Sequence, residues 1–166
     1  MNVIVLRGPA GVGKSTLATA VQQALGYPTA HLDTDVLNWQ FVPGEPNKHV
    51  VFEVLQQITA TYLANGYHVV IAGTIPTTEE AGALDSIRTA ARFHHHGHHE
   101  FFCDAPLSTC VDRASGRVRN VTPADIERWW HESRHDLAAL TSETVILDMT
   151  LPIERNVETV AGSVTG

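Results

Sequence analysis

Glycine, lysine and serine residues near the start of the chain have the spacing of a phosphate-binding loop. Residues 8–15 read GPAGVGKS and match G-x-x-x-x-G-K-[ST] at every fixed position. Glycines allow successive backbone N–H groups to converge on phosphate oxygens, and the N-terminus of the following helix faces the same anion. In this pattern Lys14 reaches the β- and γ-phosphates, and the Ser15 hydroxyl is a ligand of Mg²⁺. The residues expected to contact the nucleotide are Gly8, Gly11, Val12, Gly13, Lys14, Ser15 and Thr16.

Two carboxylates, Asp33 and Asp35, follow the second apolar stretch that is typical of a strand. A carboxylate at such a strand end can accept a proton from an attacking hydroxyl, or hold a water on Mg²⁺. The alternative is that one of them caps the helix that follows. Because there are two carboxylates at one strand end beside a phosphate loop, we expect at least one to have a functional role.

Arginines are concentrated between residues 113 and 134. Phosphoryl transfer spreads negative charge over the transferred group, and a guanidinium placed there lowers the barrier. We therefore expect a catalytic arginine among Arg113, Arg117 and Arg119, the alternative being a solvated basic loop. Arg128 and Arg134 are expected to pair with carboxylates of their own helix, namely Glu127, Glu132 or Asp136.

Apolar stretches that are typical of strands alternate with stretches of helical periodicity along the whole chain. Strands are predicted over 2–6, 29–32, 67–72, 100–103 and 144–147, and helices over about 14–25, 33–41, 50–64, 78–93, 107–114, 123–140 and 152–161. This alternation predicts an α/β fold in one domain over 1–166, with a five-stranded parallel sheet and helices on both faces. In such sheets ligands bind at the carboxyl ends of the strands, where the phosphate loop and both aspartates lie.

Composition excludes several classes of protein. The chain has 166 residues, a net charge of −7 and 43% hydrophobic residues, which is ordinary for a globular domain. No apolar run approaches the roughly 20 residues of a membrane span, and we expect a cytoplasmic protein. The acidic balance disfavours a nucleic-acid partner. The two cysteines, Cys103 and Cys110, lack metal-ligand spacing and are expected to be core residues.

The order of GPAGVGKST, then HLDTD, then RASGRVR resembles the small P-loop kinases of the nucleoside-monophosphate-kinase-like group. This group includes gluconate kinase, adenylylsulfate kinase, the polynucleotide 5′-kinase domain and chloramphenicol phosphotransferase. The resemblance covers nearly the whole chain and implies a three-layer fold, ATP and Mg²⁺ as cofactors, and a short LID segment at about 113–122. It also implies that Asp35, the second aspartate of an Asp-x-Asp pair, is the catalytic base, with Asp33 supporting it or the metal.

One departure from the group concerns the acceptor. Members that act on phosphorylated acceptors often have an arginine soon after the catalytic aspartate, whereas Asp35 is followed by VLNW. A phosphate-bearing acceptor favours bidentate arginine, so we expect a neutral or cationic hydroxyl acceptor that is antibiotic-, nucleoside- or sugar-like. Trp39, Phe41 and Phe52 are candidates to line its pocket, the alternative being core packing. Thr74, after the third strand, is either a hydrogen-bond partner of the acceptor or part of a helix-capping turn.

Two alternative functions stay open on the sequence alone. One is a nucleotide-dependent regulatory ATPase or switch, although no strand ending in Asp-Glu is visible. The other is a nucleoside-monophosphate or polynucleotide kinase. Monomer and homodimer are both compatible with the sequence. The histidine-rich segment 94–99 is expected to be a surface loop between a helix and the fourth strand, rather than a metal tract.

Overall fold

Five parallel strands form one sheet in the computed structural model, which describes residues 1–41, 47–73, 81–114, 121–138, 140 and 142–165. The strands occur in the order β2-β3-β1-β4-β5. Their bounds are β1 Asn2–Arg7, β2 Thr29–Asp33, β3 His68–Ala72, β4 Gly97–Asp104 and β5 Val145–Asp148. The central strand β1 pairs with β3 on one side and β4 on the other. Its apolar residues are fully buried because helices cover both faces.

Seven helices lie between and after these strands in the described part of the chain. They are α1 Lys14–Leu25, α2 Thr34–Trp39, α3 Lys48–Ala64, α4 Ala81–Phe93, α5 Leu107–Ala114, α6 Pro123–Ala138 and α7 Ile153–Thr165. Alternate residues of β1 point to opposite faces of the sheet. Ile4 and Leu6 pack with α1, α5 and α7, whereas Val3 and Val5 pack with α3 and α4. The predicted α/β fold, with helices on both faces of a parallel sheet, is confirmed.

The fourth strand starts earlier than the sequence indicates. β4 begins at Gly97, and His98 and His99 pair in register with Val3 and Ile4 of β1. These two histidines therefore belong to the sheet, and the expectation that they lie in a surface loop is wrong. Backbone pairing decides this, because the fully buried β1 needs hydrogen-bond partners along its whole length. His94 and His95 do form a turn after α4, as expected.

The start of α6, directly after the segment predicted as the LID, is fixed by hydrogen bonds between neighbouring residues. Thr122 precedes Pro123, the first helical residue, and its backbone N–H and its hydroxyl both donate to Asp125 Oδ2 at 3.1 and 2.7 Å. The Asp125 N–H in turn donates to the Thr122 hydroxyl at 3.2 Å. This reciprocal cap satisfies backbone groups that a helix start leaves unpaired. Among the described residues, no helix combines the length and apolar character needed to cross a membrane.

Candidate active site

The loop between β1 and α1 has a backbone conformation that requires glycine. Gly8, Gly11 and Gly13 have φ angles of +134°, +78° and +107°, which L side chains rarely adopt. A Cβ atom on Gly8 would overlap the carbonyl oxygen of Cys103, and one on Gly11 would overlap that of Cys110. The loop therefore rests directly on the end of β4 and on α5. This close packing explains why the chain has glycine at positions 8 and 11, although the motif itself fixes only the first of them.

The Lys14 side chain folds back along the inside of this loop. Its Nζ donates hydrogen bonds to the carbonyl oxygens of Gly8 and Pro9, both at 2.8 Å. The residue is 6% exposed, so the positive charge lies within the loop rather than in solvent. A charge in this place is suited to phosphate oxygens that enter the loop.

Ser15 and Asp33 meet beside the loop. The Ser15 hydroxyl donates to Asp33 Oδ2 at 2.7 Å, while Asp33 Oδ1 accepts the N–H of Asp35 at 2.8 Å. Asp33 is thus the N-cap of α2 and the partner of the predicted Mg²⁺ ligand at the same time. The structural and functional interpretations of this carboxylate are therefore compatible.

A hydroxyl and a carboxylate oxygen at this position fit Mg²⁺. Mg²⁺ usually keeps several waters and takes one or two protein oxygens together with the substrate's phosphates. Ser15 would be the direct ligand, and Asp33 would hold a metal-bound water or orient the hydroxyl. Within the described ranges, no group of three or more histidine, cysteine or acidic side chains is placed to hold a metal by itself.

Asp35 lies in the same crevice as the phosphate loop. The crevice is lined by Ala10, Gly11, Gly13, Lys14, Ser15, Asp35 and Gly73. Gly73 follows β3 with a φ of +125°, and a Cβ atom there would overlap the Thr34 side chain. The end of β3 can therefore approach the start of α2 closely. As a result, a carboxylate from the first turn of α2 and the lysine and serine of the loop share one cavity.

Arg113 connects the phosphate loop to the segment after β5. Its Nη1 donates to the Val12 carbonyl and its Nη2 to the Met149 carbonyl, both at 2.9 Å. This arrangement places a guanidinium at the rim of the loop, and the catalytic role of Arg113 stays a prediction. Arg117, Arg119 and Thr74 lie outside the described residues, so their roles also remain predictions.

The aromatic candidates for the acceptor pocket have different positions. Phe52 is 5% exposed and packs in the core between the sheet and α3. Phe41 is 66% exposed, so the core-packing alternative is wrong for that residue. Trp39 is the last residue of α2, and its side chain lies outside the described part of the structure. Thr16 is exposed at the start of α1.

Two ion pairs that involve residues of the strands were not predicted. Arg134 Nη2 donates to Asp104 Oδ1 at 2.6 Å, so the expected pairing of Arg134 within its own helix is wrong. Arg7 Nη1 donates to Glu100 Oε1 at 2.6 Å. These partners are far apart in the sequence, and no spacing rule connects them. By contrast, Arg128 pairs within α6, at 3.1 Å from Asp125 and 4.0 Å from Glu132.

Both cysteines are core residues, as expected. Cys103 and Cys110 are buried and free. Burial raises the pKa of the Cys103 thiol to about 12, so the thiol is protonated at neutral pH and has no nucleophilic role.

The chain is similar in sequence to one protein family and in fold to several solved structures. The family model described as an AAA domain matches residues 3–133. Among solved structures, a gluconokinase from Sinorhizobium meliloti 1021 is similar over 98% of this chain and 91% of its own, with 18% identity and a TM-score of 0.66. The APS kinase CysC of Mycobacterium tuberculosis, solved with AMPPNP and APS, is similar over 97% and 95% of the two chains, with 19% identity and a TM-score of 0.66.

A third similar structure is the tunicamycin resistance protein of Deinococcus radiodurans. The similarity covers 99% of this chain and 95% of that one, with 15% identity and a TM-score of 0.63. At these identities the likeness concerns the fold, and the resemblance to small P-loop kinases is confirmed at that level. No curated protein sequence matches the chain.

Proposed function

The chain belongs to the AAA domain family, and from this membership and its site geometry we propose that it is an ATP-dependent phosphotransferase. It transfers the γ-phosphoryl group of ATP to a hydroxyl of a small, non-phosphorylated acceptor. The observation that carries the proposal is that Asp35 lines one crevice together with Lys14 and Ser15. A hydrolase or switch needs a carboxylate that binds the metal and orients the attacking water. A transferase instead needs a base that can take the proton of an acceptor hydroxyl beside the phosphate loop.

The reaction assigns a separate task to each of these side chains. Asp35 accepts the proton of the acceptor hydroxyl, whose oxygen attacks the γ-phosphorus while the bond to the bridging oxygen of ADP breaks. Lys14 stabilises the negative charge of the β- and γ-phosphates. Mg²⁺, when bound at Ser15, neutralises further phosphate charge. Arg113, Arg117 and Arg119 are the candidates that stabilise charge on the transferred group.

The charges of the described arginines support a non-phosphorylated acceptor. Within the described ranges, Arg7 and Arg134 each donate a hydrogen bond to a carboxylate. Arg113 donates to two backbone carbonyl groups. A phosphate-bearing acceptor needs guanidinium groups that are available for bidentate contact. A neutral or cationic molecule does not need them, so a sugar-, nucleoside- or antibiotic-like alcohol is the best fit.

Antibiotics and sugar-like molecules are the two acceptor classes to test first. The similar structure from Deinococcus radiodurans is named as a tunicamycin resistance protein, and inactivation by phosphorylation needs only a reachable hydroxyl. Gluconokinase, another similar structure, favours a sugar-like acceptor instead. The use of ATP as donor is consistent with a cytoplasmic enzyme. The net charge of −7 is consistent with an acceptor that is not a nucleic acid. Both monomer and homodimer remain compatible with this function.

A transfer screen tests the proposal. Purified protein with Mg²⁺ and ATP is incubated with nucleosides, sugars and hydroxylated antibiotics, and the products are read by mass spectrometry. We expect one acceptor class to gain a single phosphoryl group in a reaction that Asp35→Ala abolishes. Lys14→Ala should impair both transfer and triphosphate binding. Steady ADP formation with no phosphorylated product would contradict the proposal and favour a regulatory ATPase.

A further inference from the structure

A second cavity lies at the carboxyl ends of the last two strands, apart from the crevice that holds Lys14 and Asp35. Its volume is about 560 Å³, which is within the range of pockets that bind small molecules. Its walls come from the ends of β4 and β5, the β4–α5 connection and α6, and they include Asp104, Pro106, Trp130, Arg134, Ile146 and Asp148. The proposed phosphoryl transfer gives no task to these side chains.

The segment 146–149 separates this cavity from the phosphate loop. Ile146 and Asp148 are exposed side chains of β5 that line the cavity. Leu147 points the other way, into the core beside α1, because successive side chains of a strand alternate between its faces. Met149 is buried in the same core, and its carbonyl accepts from Arg113, which also holds the phosphate loop. The cavity and the nucleotide loop therefore contact different sides of this segment.

One carboxylate of the cavity is paired with a cation, and the other is not. Arg134, the only cation among the described residues that line the cavity, donates to Asp104 Oδ1 at 2.6 Å. Asp148 Oδ1 accepts from the N–H and the hydroxyl of Thr150 at 2.8 and 2.6 Å. These hydrogen bonds lower the pKa of Asp148, so its carboxylate is ionised at neutral pH. Within the described ranges no group donates to Asp148 Oδ2, and the lining side chains carry a net negative charge.

The remaining wall is apolar or has its polar atom already in use. The indole N–H of Trp130 donates to the Ala105 carbonyl at 2.9 Å, and the Arg134 guanidinium lies 4.3 Å from the centre of the indole ring. Trp130 therefore offers hydrocarbon surface rather than a hydrogen-bond donor. Pro106 and Ile146 add apolar surface, and Ile146 is 56% exposed. The net charge repels an anion, whereas a cation with an apolar body meets both a carboxylate oxygen and hydrocarbon.

We propose that this cavity binds a small organic cation, whose primary ammonium group pairs with Asp148 and whose apolar body packs against Trp130 and Ile146. An ammonium group has three donors, and its hydrogen bond to a carboxylate is roughly twice as strong as a neutral one. A bare metal ion fits less well, because no described group of three or more histidine, cysteine or acidic side chains is placed to hold it. The cation is a second ligand of the chain and can be bound together with the nucleotide.

Three probes of similar shape test the proposal by NMR on the isotope-labelled chain at constant ionic strength. At pH 7, 2-phenylethylamine is a cation, 2-phenylethanol is neutral and phenylacetate is an anion. The amine should shift the amides of 104–106 and 146–150 and the Trp130 indole N–H. It should bind at least about 10-fold more tightly than the alcohol, and phenylacetate should bind no better than the alcohol. Equal binding of amine and alcohol, or shifts confined to residues 8–15, would overturn the inference.

Nucleotide competition tests whether the two sites are separate. Saturation with MgAMP-PNP should leave the Kd of 2-phenylethylamine within about threefold of its value in the free protein. Loss of amine binding under saturation would place the amine in the nucleotide site and overturn the inference. Neither experiment needs an acceptor, so their results do not depend on the proposed transfer reaction.

Two variants assign the binding to named side chains. Asp148→Asn keeps an acceptor for Thr150 and removes only the charge, so it should weaken amine binding about 10-fold and leave alcohol binding within about twofold. Ile146→Arg places a positive charge on the exposed wall and should weaken amine binding by at least as much. Glu158→Gln is the matched control, because it removes the same charge at a 70% exposed position on α7. Unchanged amine affinity in Asp148→Asn, or an equal loss in Glu158→Gln, would refute the assignment.

Discussion

Asp33 and Asp35 stand two residues apart, yet the structure predicts different consequences for their removal. Asp33→Ala deletes the N-cap bond to the Asp35 amide and the acceptor of the Ser15 hydroxyl. An N-cap contributes about 1 kcal/mol, and the part-buried bond to Ser15 about 1 kcal/mol more. The sum is about 2 kcal/mol, which lowers Tm by about 4–8 °C in a chain of this size.

Asp35→Ala should instead affect the rate. Asp35 lies in the first turn of α2, where a carboxylate contributes less than about 1 kcal/mol through the helix dipole. Its loss as a general base should lower kcat by about 100- to 10,000-fold. MgATP affinity should stay close to the wild type, because Lys14, Ser15 and the loop are unchanged. In Asp33→Ala, by contrast, MgATP should bind about 10-fold more weakly because Ser15 loses its partner.

Three measurements separate the two carboxylates. Urea denaturation gives the free energy of unfolding, titration calorimetry gives MgATP affinity, and mass spectrometry follows transfer to the acceptor. Glu158→Ala is the control, since this carboxylate is 70% exposed on α7 and should change stability by less than about 0.5 kcal/mol. Equal losses of stability in the two aspartate variants, or full transfer by Asp35→Ala, would refute the reasoning.

Three further predictions follow from the same structure. Gly73→Ala places a side chain at φ +125° against Thr34 and should lower the free energy of unfolding, measured by urea denaturation, by about 1–3 kcal/mol. Gly162→Ala is the control, because a Cβ atom there meets open space in α7, and it should be neutral or stabilising. Equal effects of the two substitutions would contradict the argument. Arg113→Ala removes two hydrogen bonds to carbonyls and should weaken MgATP binding about 10-fold by calorimetry, so an unchanged affinity would exclude a role at the rim of the loop. Burial and the Arg88 charge lower the pKa of His98 to about 4, so the folded state disfavours the charged imidazole. The stability that the neutral His98 side chain contributes is therefore complete above pH 6.5 and is lost as pH falls towards 4. His98→Asn should flatten the dependence of the denaturation midpoint on pH between these two values.

Local patterns in the sequence predict most of the fold. Glycine, proline and capping residues mark helix ends, so α1 and α5 have the predicted bounds and α6 begins at Pro123 as expected. Hydrophobic runs locate all five strands, and burial explains the runs of β1 and β3 best, because parallel strands covered on both faces need continuous apolar residues. The bounds of β4 are the exception: His98 and His99 look polar, but pairing with β1 makes them strand residues.

For the candidate site, sequence spacing identified the phosphate loop and both aspartates, because those residues follow strands whose carboxyl ends meet at one edge. Sequence reasoning could not show that Asp33 rather than Asp35 receives the Ser15 hydroxyl, since that depends on side-chain directions at the ends of two elements. It also missed Glu100 with Arg7 and Arg88, and Arg134 with Asp104. These charges meet only after the sheet has assembled, because packing brings together residues that no local pattern relates. The sequence by itself thus indicated the type of site, and only the tertiary structure decided which distant charges pair.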